Sequence, residues 1–239
     1  MMQATNAPPA ATPPPSARSA PPPAPDPTAP VPSASGPAPD HPAALPRTAF
    51  AVTVAGTFLV ALDLSIVNVA FPSIRGSFPD ASTATLSWVL SAYSVVFGAL
   101  LLGAGRVADR SGRRRAYLAG LVVFAAGSAL CGFAPAAGVL IAGRVVQAVG
   151  AALLMPAALA LLLVATPPAA RPRAVAAWGG VSALAVAVGP TVGAVLVQAG
   201  GWRWACWVNL PVVVLTLVAT RRSIPESGVG GPAPDLVGV

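Results

Sequence analysis

Six stretches of the 239-residue chain are almost wholly apolar, and nearly all of the charge lies between them. They run over Thr48–Ile74, Leu86–Ala104, Ala116–Ala134, Gly138–Val164, Val175–Gln198 and Trp204–Ala219. At 1.5 Å per residue, about 20 residues cross roughly 30 Å of hydrocarbon. The sixth run is the shortest, and Trp202, Trp204 and Trp207 crowd its start as an interfacial aromatic anchor would. Backbone polar groups inside lipid have to be satisfied within their own segment, so runs of this kind predict helices. The pattern predicts an all-α membrane protein, a bundle of six transmembrane helices. Between the second and third runs stands Gly105–Arg115, GRVADRSGRRR, with five arginines and one aspartate in eleven residues. Hydrocarbon does not accommodate that much charge, and the segment is expected to be a hairpin loop in water or headgroups.

Charge fixes the threading. With the amino terminus in the cytoplasm, the inner segments collect Arg47, the five arginines of Gly105–Arg115, Arg171, Arg173, Arg221 and Arg222, while the outer ones hold Arg75 and Arg203. Arginine excess in short loops marks the cytoplasmic side, and the bias would disappear if one span had been miscounted. Composition agrees: 55% hydrophobic and 9% charged residues belong in a bilayer rather than in a soluble domain. The net charge of +7 points to anionic headgroups, not nucleic acid, because the arginines gather at the ends of apolar runs. Residues 1–46 hold sixteen of the 28 prolines and few large apolar side chains, which predicts a disordered, locally polyproline II cytoplasmic tail. Cys131 and Cys206 lie inside apolar runs, and the single histidine, His41, lies in the tail, so the pattern supports neither a disulfide framework nor a metal site. No nucleophile elbow or phosphate loop is present to carry hydrolysis or ATP use, and no cofactor or enzymatic activity is implied.

Two charges inside the spans are the candidates for chemistry. Asp63 lies in LDLSIVNVAFPSI, about fifteen residues into the first helix, where a lone carboxylate is costly unless paired or wet. Arg144 lies in LIAGRVVQAVGAALLMP, about six residues into the fourth. Counted from the outer ends of their helices, the two lie at depths of roughly 16 and 9 Å and could meet across a cavity. An opposite charge there would stabilise the carboxylate. The alternatives are a protonated Asp63 bonded to a neighbouring helix and an Arg144 that snorkels to the outer interface. In the fifth run, Ala185, Gly189 and Gly193 recur every four residues and leave one helical face nearly bare, a surface for close packing. Pro190 removes one helical hydrogen bond there and permits a bend.

Gly105, Ala108, Asp109, Arg110, Gly112, Arg113 and Arg114 resemble the G-x-L-A-D-R-x-G-R-[KR] signature between helices 2 and 3 of major facilitator superfamily transporters. Leu62, Asp63, Asn68, Ala70 and Pro72 resemble the first-helix motif L-D-x-T-x-x-N-x-A-x-P of its fourteen-helix drug:proton antiporters, with Ser65 at the Thr position. Arg144, Gln147 and Gly150 resemble R-x-x-Q-G-x-G of the fourth helix, which is associated with proton transfer. Gly189, Pro190 and Gly193 resemble the fifth-helix antiporter motif G-x-x-x-G-P-x-x-G-G, with Ala185 and Ala194 at two of its glycines. Trp202, Arg203, Trp204, Asn209 and Pro211 resemble the W-R-W-x-F-x-x-N-x-P that follows it.

The resemblance implies two inverted three-helix repeats and a proton-coupled efflux antiporter of amphipathic drugs or other small molecules in the bacterial inner membrane. Asp63 and Arg144 would then couple protons, Gly105–Arg114 would gate at the cytoplasmic face, and substrate, protons and lipid would be the partners. Residues 1–46 would form the tail, 47–222 the bundle, and 223–239 a linker toward a seventh helix, the chain being the amino-terminal half of a longer transporter that needs further carboxy-terminal helices. The inner face carrying Asp63 is expected to lie open toward that second half. A twelve-helix or importing relative, a non-transporting membrane interaction protein and an inactive fragment remain as alternatives.

Overall fold

A computed structural model describes residues 47–223, and the expected tail and all of the expected linker but Ser223 lie outside the described residues. The six runs become helices α1 (Arg47–Ser77), α2 (Thr83–Ser111), α3 (Arg113–Gly132), α4 (Ala137–Ala165) and α5 (Arg171–Gly200), with the sixth span formed by α6 (Arg203–Trp207) and α7 (Asn209–Ser223). A single 3-10 turn, Pro168–Ala170, precedes α5, and there is no strand among the described residues. Polar residues inside the spans are largely satisfied by their own helices. Thr53 and Thr57, for example, donate their hydroxyls to the carbonyls of Ala49 and Thr53 at 2.9 and 3.0 Å. Ser82 caps α2 by accepting from the Thr85 amide at 3.0 Å.

The helices pack in a repeated pattern. α1 lies against α5 as α4 lies against α2, and α4 lies against α3 as α1 lies against α7. Exchanging the first three spans for the second three leaves this pattern unchanged, as two inverted three-helix repeats require. The tightest seam joins α3 and α4, where glycines let the backbones meet. A Cβ on Gly120 would stand 2.9 Å from the Gly150 carbonyl oxygen, and one on Gly127 would stand 2.5 Å from the Gln147 amide nitrogen. α2 and α5 sit at the other extreme. Only 22% and 17% of their most apolar windows are buried, against 50–56% for α1, α3 and α4.

Two expectations change. Gly105–Arg115 is not a loop: α2 runs through Gly105 to Ser111, α3 begins at Arg113, and Gly112 alone, at φ 97°, breaks the helix. Charge requires that the segment leave the hydrocarbon, but arginine and alanine are good helix formers, and Ala104 and Ala108 remain buried against the bundle, so the helix continues past the membrane. Trp202, expected as an interfacial anchor, is instead buried. Its indole nitrogen donates to Ser77 Oγ at 3.0 Å, its ring packs on Phe78, and Arg203 stacks over it at 4.4 Å while donating to the Ala134 carbonyl. It joins the carboxy-terminal ends of α1 and α3 to the start of α6. Trp204 does face outward, 52% exposed.

Candidate functional site

Asp63 and Arg144 meet directly. Arg144 Nη1 donates to Asp63 Oδ2 at 2.6 Å, and both side chains are about 1% exposed. The second carboxylate oxygen, Oδ1, accepts from Asn209 Nδ2 at 2.7 Å and Gln147 Nε2 at 3.2 Å. α1 therefore supplies the anion, α4 the cation and one amide, and α7 the other amide. Ser128 of α3 ties the amides together, its hydroxyl oxygen accepting from Gln147 Nε2 at 2.6 Å and from Asn209 Nδ2 at 3.2 Å. Arg144 is held from three further sides. It donates through Nε to the Val89 carbonyl at 3.2 Å and through Nη1 to Gln147 Oε1 at 2.8 Å, and its guanidinium lies 4.3 Å from the centre of the Tyr93 ring.

The expected open inner face carrying Asp63 is therefore not found: the carboxylate is enclosed within the six-helix bundle itself. The physical reason is the pairing, since a buried carboxylate needs its charge matched and its oxygens bonded: α2, α3, α4 and α7 converge on α1 to do this for Asp63, while Arg144 Nη2 and Asn209 Oδ1 stay buried without a hydrogen-bond partner among the described residues. The cluster borders open space through Arg144, which lines a cavity of 350 Å³ with Leu64, Asn68, Leu90, Ser91, Ser94 and Val95.

The other expected residues fall elsewhere. Asp109 lies 3.8 Å from Arg113 across the Gly112 break, an exposed i,i+4 pair of the kind that contributes little in water. Arg110 closes the last turn of α2, where a cation complements the helix dipole. Arg114 Nη2 donates to the Arg221 carbonyl at 3.4 Å and so links α3 to the end of α7, while a Cβ on Gly105 would lie 3.9 Å from Pro156 of α4. Gly189 and Gly193 face α1: a Cβ on Gly193 would be 3.2 Å from Ile66 Cα, and one on Gly189 would overlap Ser65. Pro190, between them, is exposed. Ser128 and Tyr93 carry no expectation in the sequence, and Asn209 stands there only within a motif. A hydroxyl and an amide inside otherwise apolar spans are the same signal that singles out Asp63, and that signal finds Ser128 and Asn209.

The Major Facilitator Superfamily profile matches residues 53–236, and the chain belongs to that family. Among curated relatives it is 43% identical over 171 residues to the puromycin resistance protein pur8 of Streptomyces alboniger, a match covering 71% of this chain and 34% of that one. It is 40% identical over 173 residues to the multidrug resistance protein Stp of Mycobacterium tuberculosis strain H37Rv, covering 72% and 32%. A third, the tetracenomycin C resistance and export protein of Streptomyces glaucescens, is 38% identical over 172 residues, covering 72% and 32%. The chain thus spans about a third of the length of each of these relatives. In fold it resembles the crystal structure of a D-xylose–proton symporter, with a TM-score of 0.63 at 18% identity, covering 77% of this chain and 49% of that one.

Proposed function

We propose that this bundle is one half of a proton-coupled exporter of amphipathic small molecules, with Asp63 as the residue that takes up and releases the proton. The observation that carries the reading is the enclosed Asp63–Arg144 pair with both carboxylate oxygens occupied. Ionised, the cluster is neutral and bonded. Protonated, Asp63 no longer balances Arg144, which leaves an unpaired cation about 1% exposed at a cost of several kcal/mol. That penalty is relieved only if Arg144 gains water or a new partner, so proton uptake drives the cluster to rearrange. The cavity beside Arg144 is where a rearranged guanidinium would meet substrate or water. Outward transport is supported by a relative described as a resistance and export protein and by others described as resistance proteins. Membership of the fourteen-helix antiporter group is supported by the motifs at Asp63, Gly189–Pro190 and Trp202–Pro211. A second bundle, on this chain or another, would complete the cavity, in keeping with relatives about three times as long as the matched region.

The test is antiport by the full-length protein in liposomes with an imposed pH gradient, followed by accumulation of a fluorescent cationic drug. Asp63→Asn, which keeps the shape and one acceptor oxygen but turns the other into a donor and cannot cycle a proton, is expected to abolish gradient-driven accumulation. Unchanged accumulation with unchanged pH dependence would exclude the role. The reading also places Gly105–Arg115 and the amino terminus in the cytoplasm. Cys131 and Cys206 are both buried, so a cysteine introduced at Ser111 offers a clean label. It is expected to react with an impermeant thiol reagent only from the cytoplasmic side, and labelling from outside would reverse the topology.

A further inference from the structure

A proline inside a helix leaves the carbonyl four residues earlier without its amide partner. For Pro190 of α5 that carbonyl belongs to Val186. In hydrocarbon an unmatched carbonyl is costly, because no water is present to replace the missing bond. Here it is matched from another helix: Ser65 Oγ of α1 donates to the Val186 carbonyl at 3.1 Å. The bond is unusual in this protein. Thr53, Thr57, Ser77, Ser87, Ser94, Ser111, Thr216 and Thr220 all donate to the carbonyl four residues back in their own helix. The Ser65 hydroxyl leaves its helix instead. Room for it is made by Gly189, where any Cβ would overlap the Ser65 side chain, while Gly193, one turn on, brings Ile66 Cα to within reach of the α5 backbone.

We propose that Ser65 is a positioning residue, keying α1 to α5 through the one carbonyl that Pro190 frees and thereby fixing the rotation and height at which α1 presents Asp63 to Arg144. Ser65 stands two residues after Asp63, so on a helix the two point to nearly opposite sides. One faces α5, the other α4 and α7. A turn of α1 that broke the first contact would displace the second. Pro190 and Gly189 then act together: the proline exposes the acceptor and the glycine admits the donor. The inference rests on the proton-coupling role given to Asp63, but the bond itself is testable without it.

The experiment is a double-mutant cycle in the full-length protein, combining Ser65→Ala with Pro190→Ala, read both by thermal unfolding in detergent and by the pH profile of drug accumulation in liposomes. Ser65→Ala alone is expected to lower Tm by about 1–2 °C, the shift of a single lost hydrogen bond spread over a chain about three times as long as the matched region, and to move the midpoint of the pH profile. Ser65→Thr, which keeps the hydroxyl, is expected to restore both. In the Pro190→Ala background Val186 regains an amide partner, and the Ser65→Ala loss in Tm is expected to fall to half or less. Equal losses in both backgrounds would show that the bond to the freed carbonyl plays no part and would overturn the proposal. A Tm coupling with an unmoved pH profile, in a protein whose transport Asp63→Asn abolishes, would overturn the positioning role while leaving proton coupling intact. If Asp63→Asn had no effect, the functional reading would fail, and the key between α1 and α5 would still be judged by the Tm cycle.

Discussion

α4 and α5 are nearly the same length, 29 and 30 residues, and both are apolar enough to span a membrane, yet the bundle uses them in opposite ways. α4 is buried along Leu140, Gly143, Arg144, Gln147, Gly150, Leu154 and Leu161, and touches α1, α2 and α3. α5 buries only Ala174, Ala185, Gly189 and Gly193, and leaves Leu184, Val186, Val188 and Val195 exposed. Hydropathy does not separate them, because lipid and protein interior are equally apolar. What separates them is where polar and small residues fall. On α4, charge and amide face inward together with glycines, so the helix is gripped on several sides. On α5 the small residues form one stripe, so the helix is held along a line and its outer face is free for lipid or a second bundle.

Two substitutions probe the contrast, and the larger effect belongs to α4. Arg144→Ala strands Asp63 without its counter-charge among four helices, and a loss of about 3–5 kcal/mol is expected, as for breaking any buried pair from one side. Thermal unfolding of the full-length protein in detergent measures it, and a Tm close to wild type would mean that the cluster is wetter and looser than its hydrogen bonding implies. The smaller effect belongs to the outer face of α5. Leu184 is 55% exposed, and Leu184→Ala is expected to change the stability of the isolated 239-residue chain by no more than about 0.5 kcal/mol. The proposed second bundle sharpens the comparison: if it covers the bare face of α5, the same change is expected to cost more in a protein that contains both bundles than in this chain alone, and equal losses would leave that face to lipid.

Much of this was legible in the chain, for reasons that differ by residue. The six spans could be read because hydrocarbon forces apolar side chains and helical backbone together. Asp63 and Arg144 stood out because charge inside such a run needs a partner, and the pair did prove to be in contact. Their surroundings were less legible. Ser128, Asn209 and Tyr93 come from three other helices, and nothing local to any of them says that it points at Asp63. Gly105–Arg115 misled in an informative way: charge reports where the membrane ends, whereas the helix ends where the backbone turns, and that is Gly112 alone. Trp202 misled likewise, since tryptophan suits an interface but also fills a junction of three helix ends. The bond from Ser65 to Val186 lay beyond the pattern altogether, because it links residues 121 positions apart.

The one-residue break at Gly112 has a mechanical meaning. α2, 29 residues long, measures about 44 Å, well over the roughly 30 Å of hydrocarbon, and the surplus includes its arginine-bearing end. A stiff rod pivoting near its middle by about 10° swings its tip by roughly 4 Å. A long, slack connection would absorb such a swing, whereas a single glycine between two helices absorbs little of it. Any rocking of α2 is therefore delivered to the first turn of α3, and from there, through the Arg114 side chain on the Arg221 carbonyl, to the carboxy-terminal end of α7.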